Sequence, residues 1–166
     1  MLVLPADFVG CAATLGPALV GLILGEAIRI WGVGYAGSST RTRGDAVSEL
    51  VVAGPFRYLR NPLYVGNILL YTACAVLFGF LYLSIAVFVF SYLQYSFIIA
   101  YEEELLERKF GEQYRQYKAR VPRWFPTLSP CPSQSRHVFD LKRAVRSERS
   151  TLMALAGVGI ALSIKR

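Results

Sequence analysis

The sequence predicts an all-α, polytopic helical membrane protein that forms a single domain over residues 1–166. Its composition is 54% hydrophobic and only 17% charged, whereas soluble domains are about 25% charged. No Asp, Glu, Lys or Arg occurs between Arg60 and Glu102, a run of 41 residues, and a second uncharged run extends from Phe8 to Gly25. Apolar runs of this length cannot be buried in so small a globule, which excludes an ordinary soluble enzyme.

The longer run predicts two membrane-spanning helices joined by a tight turn. A helix of that length would rise about 60 Å, twice the thickness of the hydrocarbon core. We expect the turn within 77–84, which gives spans at about 62–79 and 82–101. The other uncharged run predicts a further span at about 8–31, which makes three. The apolar run at 151–164 is short for a crossing, so a fourth span there is left open.

The distribution of charge predicts the orientation in the membrane. The net charge is +7, and every Lys and Arg lies after residue 28. Because basic loops stay on the cytoplasmic side, we expect the N-terminus outside and both 32–60 and 102–150 in the cytoplasm. The basic surface then indicates anionic lipid as its partner, and no nucleic acid is predicted. The three cysteines form no C-x-x-C pair, so no metal site is predicted.

Two polar segments flank the predicted hairpin and contain the candidate site residues. In the first, 57–67, Arg, Tyr and Asn surround Pro62, a residue that suits the first turn of a helix. The second segment, 101–126, predicts a helix that continues out of the membrane and has a stripe of regularly spaced residues along one face. The stripe consists of Glu102, Leu106, Phe110, Tyr114 and Tyr117. An interfacial anchor and a helix lying on the bilayer would have a similar composition, but carboxylates at the end of a span are costly unless they are paired or functional.

Together the two segments resemble the integral membrane methyltransferases, which include isoprenylcysteine carboxyl methyltransferase and the phospholipid N-methyltransferases. The matching stretches are RNPLYVG at 60–66 and EEELLERKFGEQYRQYKARVPR at 102–123. The resemblance covers about 26–126. It implies S-adenosylmethionine as the cofactor, bound in a cytoplasmic pocket at the end of the hairpin. It also implies a lipid or lipid-modified methyl acceptor, either an isoprenylcysteine carboxylate or a phospholipid amine. Neither the acceptor nor the oligomeric state is specified.

The resemblance also assigns site residues by position. The implied cofactor-binding residues are Arg60, Asn61, Pro62, Tyr64, Gly66, Glu102 and Glu103. Tyr114 is a further candidate because it could add cation–π contacts or hydrogen bonds. Arg60 and Glu103 are in addition the catalytic candidates, since a guanidinium can grip the cofactor carboxylate and Glu103 could accept a proton from an amine. Where the family usually has His, this chain has Asn61, which can position a ligand but cannot titrate. We expect 102–126 to cover the cofactor and 127–150 to form a linker and surface helix.

Two other functions are compatible with parts of this pattern. An NADPH-dependent membrane reductase of the sterol-reductase type has a similar C-terminal motif, although this chain lacks most of the spans of such a reductase. A small membrane scaffold without enzymatic activity would tolerate replacement of Glu102 and Glu103. The short chain is most similar to minimal prokaryotic family members, which favours the bacterial inner membrane over the endoplasmic reticulum.

One charged pair lies near the end of the first predicted span. Glu26 and Arg29 are three residues apart, one helical turn. Charged residues within a span indicate function by default. Because this pair is close to the membrane interface, a structural salt bridge explains it equally well.

Overall fold

The computed structural model describes residues 12–36, 49–79, 81–132 and 138–164, and the regular elements in these ranges are all helical. The described residues form five α-helices and one 3₁₀ turn at Gly54–Arg57. The helices are α1 (Ala12–Ala36), α2 (Pro62–Leu77), α3 (Leu81–Phe110), α4 (Glu112–Arg120) and α5 (Leu141–Ile164). The predicted start of the first span at residue 8 lies outside the described ranges. The predicted all-α class is confirmed.

By length and composition, two of the described helices could cross a membrane. They are the Thr14–Ala36 part of α1, with 23 residues, and α3, with 30 residues. The intervening helix α2 is apolar but shorter, with 16 residues. The chain reverses between Leu77 and Leu81, inside the predicted turn, and Gly79 there has a φ of 82° that favours glycine. The number of spans stays a prediction.

Glycines bring the backbones of α1 and α2 into contact. A Cβ atom added to Gly25 would lie 2.9 Å from the carbonyl oxygen of Gly66, and one added to Gly66 would lie 2.8 Å from the carbonyl oxygen of Gly25. One turn earlier on α1, a Cβ atom at Gly21 would lie 2.9 Å from the Cβ atom of Ala73. Small residues four apart are a common means of close helix packing in membranes. They fix the middle of α1 against α2, which runs antiparallel to it.

The helix predicted to continue beyond the membrane is divided in two. The helix α3 ends at Phe110, and Gly111 adopts a φ of 52° before α4 begins at Glu112. With a ψ of −123°, this backbone conformation is readily available to glycine but not to other residues. The residues of the predicted stripe still come together, because Leu106 and Phe110 pack against a buried cluster that contains Tyr114 and Tyr117. That cluster comprises Leu50, Val52, Tyr114, Tyr117, Val121 and Cys131.

Backbone hydrogen bonds join the two polar segments at one end of the helical hairpin. The Arg60 N–H donates to the Pro122 carbonyl over 3.0 Å, and the Thr127 N–H donates to the Tyr58 carbonyl over 2.9 Å. The segments that precede α2 and follow α4 therefore lie side by side. The hairpin returns the chain to the side from which it started, which agrees with the sequence argument.

The region predicted as a linker, 127–150, contributes its last ten residues to a long helix. The helix α5 has 24 residues and unites this part with the apolar run at 151–164. Its start is capped by Asp140, whose carboxylate accepts a 2.9 Å hydrogen bond from the backbone N–H of Arg143. This bond lowers the pKa of Asp140. The Asp140 N–H donates to the Gly34 carbonyl, so the helix begins against the end of α1.

Candidate functional site

A cavity of about 530 Å³ lies where the polar ends of the helices meet. Its size is within the range of small-molecule sites. The end of α1, the segment before the 3₁₀ turn, the starts of α2 and α4, the end of α3 and the middle of α5 all contribute to its walls. The polar and charged lining residues include Arg29, Glu49, Arg60, Asn61, Tyr64, Asn67, Glu102, Lys109, Tyr114, Tyr117 and Glu148. Both signs of charge are present, which suits a zwitterionic or amphiphilic ligand.

The structure brings most of the predicted site residues together around this cavity. The lining includes Arg60, Asn61, Pro62, Tyr64, Glu102 and Tyr114. The two remaining residues, Gly66 and Glu103, do not line it. Gly66 lies at the backbone contact between α1 and α2. The role of each residue in cofactor binding or catalysis stays a prediction.

Glu103 is buried between two arginines. Its side chain accepts hydrogen bonds from Arg123 at both oxygens, with Nη2–Oε2 at 2.6 Å and Nε–Oε1 at 3.2 Å. The Nη1 atom of Arg60 lies 3.4 Å from Oε1 of the same carboxylate, and Glu103 is only 3% exposed. The hydrogen bonds to Glu103 raise the pKa of Arg123. This geometry is typical of a residue that holds the two guanidinium groups in place.

Arg60 and Asn61 present buried donors at the start of α2. The Nε and Nη1 atoms of Arg60 and the Nδ2 atom of Asn61 have no hydrogen-bond partner among the described residues. An unsatisfied buried donor costs about 1–3 kcal/mol, and more when it is charged. A ligand with carboxylate oxygens would satisfy these donors, and a guanidinium can bind such a group in two-pronged geometry. The residues therefore fit the carboxylate of an amino-acid-like ligand.

Glu102 is held in the cavity by a tyrosine from the opposite helix. The Tyr64 hydroxyl donates to Oε1 of Glu102 over 2.7 Å, which links the first turn of α2 to α3. The Tyr64 ring lies against the Tyr95 ring with the centroids 4.7 Å apart. A carboxylate beside aromatic rings suits an ammonium group, a sulfonium group or ribose hydroxyls. This part of the cavity thus complements the donors of Arg60 and Asn61.

Two tyrosines of α4 line the cavity from the cluster behind it. The Tyr117 hydroxyl donates to the Phe56 carbonyl over 2.8 Å, so α4 is attached to the 3₁₀ turn. Burial raises the pKa of both Tyr114 and Tyr117, and the nearby Glu103 carboxylate raises that of Tyr114 further. Both side chains therefore remain neutral hydroxyls at physiological pH.

Arg29 joins three helices at the edge of the cavity. The predicted pair is present, with Arg29 Nε 3.7 Å from Oε2 of Glu26. Arg29 also donates to Oε2 of Glu148 on α5, from Nε over 3.2 Å and from Nη2, and to Oδ1 of Asn67 on α2. Neither Glu148 nor Asn67 is among the site residues predicted from the sequence. Asn67 was visible at the end of the first polar segment, whereas Glu148 lies 119 residues from its partner.

The fold and the cavity define a class of protein: a small helical protein with two apolar helices long enough to cross a membrane and a polar cavity at the ends of its helices. Residues 9–113 match the phospholipid methyltransferase family. The chain belongs to this family. The family match confirms the resemblance to integral membrane methyltransferases, and it ends before α5 begins.

Three relatives illustrate the similarity. The chain is 30% identical over 127 residues to the nickel-cobalt-cadmium resistance protein NccN of Alcaligenes xylosoxydans xylosoxydans, an alignment of 76% of this chain and 56% of the relative. It is 31% identical over 112 residues to protein-S-isoprenylcysteine O-methyltransferase B of Arabidopsis thaliana, with 65% and 57% covered. It is 29% identical over 135 residues to the cobalt-zinc-cadmium resistance protein CzcN of Cupriavidus metallidurans, with 80% and 58% covered. The chain thus spans somewhat more than half the length of these relatives.

Proposed function

We propose that this chain is an S-adenosylmethionine-dependent methyltransferase that acts at the cytoplasmic membrane face on a lipid or lipid-modified acceptor. The observation that carries the proposal is the pairing of opposite features in one cavity. Arg60 and Asn61 offer buried donors that make no hydrogen bond among the described residues, and Glu102 offers a carboxylate. The cofactor has a carboxylate, an ammonium group and a sulfonium group, so it needs both features. The family match and the plant relative, named as an isoprenylcysteine O-methyltransferase, support the same reaction class.

The chain's residues would divide between the negatively charged and the hydrogen-bond-donating groups of the cofactor. Arg60 and Asn61 bind its carboxylate oxygens, and Glu102, oriented by Tyr64, binds the ammonium group or the ribose hydroxyls. When bound, the cofactor supplies an electrophilic methyl group on a positively charged sulfur. The tyrosine rings that line the cavity stabilise this positive charge through cation–π contacts.

The remaining task of the protein is alignment. Methyl transfer is an in-line displacement in which the acceptor forms a bond to the methyl carbon as the carbon–sulfur bond breaks, and its electron pair stays on sulfur. Holding the two reactants in line and excluding water lowers the barrier. An anionic acceptor, such as a carboxylate or thiolate, needs no general base. For an amine acceptor Glu103 is the predicted base, although its two arginine partners support the role of fixing Arg60 instead.

We further propose that the N-terminus lies outside and that the cavity opens to the cytoplasm of a bacterial cell. The distribution of Lys and Arg after residue 28 supports this orientation. The acceptor carries a hydrocarbon tail that enters from the bilayer. Apolar side chains exposed along α1 and α3, such as Ile23 and Phe90, provide a lipid-facing surface next to the polar cavity.

Calorimetric titration of the purified protein in detergent tests the cofactor. S-adenosylmethionine should bind, and Glu102→Gln and Arg60→Lys should each weaken binding about 10-fold, since a hydrogen bond to a charged group contributes about 1.5–3 kcal/mol. The control is Glu104→Gln, which removes an exposed carboxylate paired with Arg108 on the same helix and should leave the dissociation constant unchanged.

The same titration with NADPH separates the alternatives. Binding of NADPH without S-adenosylmethionine would overturn the proposal in favour of a membrane reductase. A folded protein that binds neither compound would leave the membrane scaffold as the better explanation.

A further inference from the structure

The helix α5 forms a wall of the cavity although it lies outside the residues that match the family. Ser147, Glu148, Ser150 and Thr151 line the cavity, whereas the family match ends at residue 113. These residues belong to the polar half of the helix, and its apolar half continues past them along α1. Leu155 and Val158 there pack against the buried cluster shared by α1 and α2.

The start of α5 is fixed at the end of α1 by close packing. The Phe139 ring covers Gly34 so tightly that a Cβ atom at Gly34 would overlap it. The same ring lies against Tyr35, with centroids 5.5 Å apart. Between this contact and the apolar packing further along, the ion pair of Glu148 with Arg29 attaches the helix to α1.

Glu148 is buried, with 4% of its surface exposed, and donors from two residues converge on one of its oxygens. Its Oε2 atom accepts hydrogen bonds from Arg29, with Nε at 3.2 Å, and from the Thr151 hydroxyl at 3.3 Å. The carboxylate therefore sets the orientation of the planar Arg29 guanidinium.

A series of contacts leads from Arg29 to the carboxylate proposed to bind the cofactor. Arg29 donates to Oδ1 of Asn67, which leaves Nδ2 of the same amide to donate to the Tyr95 hydroxyl over 3.1 Å. The Tyr95 ring lies against the Tyr64 ring, and the Tyr64 hydroxyl holds Glu102. Each contact restricts the next side chain.

Arg29 has a second carboxylate within reach, besides that of Glu148. Oε2 of Glu26 lies 3.7 Å from Arg29 Nε, and neither Glu26 oxygen has a hydrogen-bond partner among the described residues. If Glu148 lost its charge, the guanidinium would turn towards Glu26 and withdraw from Asn67. The position of Arg29 thus depends on the competition between two carboxylates.

We propose that Glu148 is a positioning residue of the methyltransferase site. By binding Arg29 it holds α5 as a wall of the cavity and, through Asn67 and Tyr95, fixes the Tyr64–Glu102 pair. The predicted effect of Glu148 on cofactor binding rests on the proposed function. The attachment of α5 is independent of the ligand.

A double-mutant cycle tests the link to the cofactor. We expect Glu148→Gln and Asn67→Ala each to weaken S-adenosylmethionine binding about 5-fold by calorimetry. The double variant should bind S-adenosylmethionine with the same affinity as the single variant that binds it less tightly, since both changes interrupt one path. Glu104→Gln is the matched control for loss of a carboxylate. Unchanged affinity in Glu148→Gln, or effects that multiply in the double variant, would overturn this link, and a fall in melting temperature alone would indicate a structural role.

Thiol labelling tests the wall without any cofactor. In a variant with Cys11, Cys74 and Cys131 replaced by alanine, Leu105→Cys places a thiol in the cavity lining. We expect a water-soluble maleimide to label it at least 5-fold faster when Glu148→Gln is added. Equal labelling rates would overturn the attachment of α5 by Glu148. If the unaltered protein bound no S-adenosylmethionine, the proposed function would fail while labelling still decided how α5 is held.

Discussion

Adjacent glutamates on α3 have different environments, and this difference assigns them different tasks. Consecutive residues on a helix point about 100° apart. Glu102 accordingly lines the cavity, whereas Glu103 binds Arg60 and Arg123 behind it. The sequence could predict that carboxylates at the end of a span are paired or functional. It could not predict which of the two lines the cavity, because the rotation of the helix depends on packing with distant segments.

Replacement of these glutamates should separate stability from binding. Glu103→Gln removes the charge that pairs with two guanidinium groups, and loss of one partner of a buried pair costs about 3 kcal/mol. We therefore expect a clearly lower melting temperature in detergent for Glu103→Gln. Glu102→Gln should melt within a few degrees of the unaltered protein, because Gln can still accept the Tyr64 hydrogen bond. Equal destabilisation by both variants would contradict the division of tasks.

At the level of helices, the sequence predicted what composition and periodicity encode. The hairpin turn lies within the predicted 77–84, and the stripe of α3 and α4 converges on one cluster. The break at Gly111 was not predicted, since a glycine within a periodic pattern is compatible with a continuous helix. The prediction assigned the first ten residues of α5 to a linker and the rest to a separate apolar run, because those ten residues are polar. In the structure the two parts form one helix, and the side of the polar part that faces the cavity continues into the apolar part. Glu148 belongs to that face.

The contact between α1 and α2 gives a prediction for this level. Gly25→Ala would introduce a Cβ atom 2.9 Å from the Gly66 carbonyl oxygen, and backbone cannot move aside cheaply. We expect a destabilisation of about 1–3 kcal/mol, the usual cost of overpacking. It should appear as a lower melting temperature in the same detergent.

Gly157→Ala is the matched control on α5. A Cβ atom there has no neighbour within 4 Å, and alanine is favoured over glycine in a helix by about 1 kcal/mol. The melting temperature should stay the same or rise. If Gly25→Ala behaved in the same way, the close approach of α1 and α2 would be refuted.

For the whole molecule, the sequence predicted the membrane class, the family and the pairing of two polar segments across a hairpin. The cavity itself required the structure, because its walls come from segments scattered between Arg29 and Thr151. Hydropathy shows which segments are apolar but not which polar side chains meet. The wall formed by α5 is the clearest example, since nothing in its local sequence indicates contact with α1.

The proposed orientation can be tested with two cysteines at opposite ends of the hairpin. In a chain whose native cysteines are replaced by alanine, Gln113→Cys lies on α4 and Phe78→Cys lies at the turn between α2 and α3. A membrane-impermeant maleimide should label Gln113→Cys in inverted vesicles and Phe78→Cys in intact cells. The reverse pattern would refute a cytoplasmic cavity, and labelling of both residues from one side would refute the membrane-spanning hairpin.

The contact between Arg29 and Glu148 also has a consequence for the order of events during synthesis. The partners are 119 residues apart, so at about 5–20 residues per second the ribosome makes Glu148 roughly 6–24 s after Arg29. During that interval Glu26, one turn away on the same helix, is a carboxylate within reach of Arg29. The nascent chain therefore passes through a stage in which Glu26 is available to compensate the charge of Arg29 before Glu148 exists. The late arrival of α5 then adds Glu148 as a hydrogen-bonding partner of Arg29.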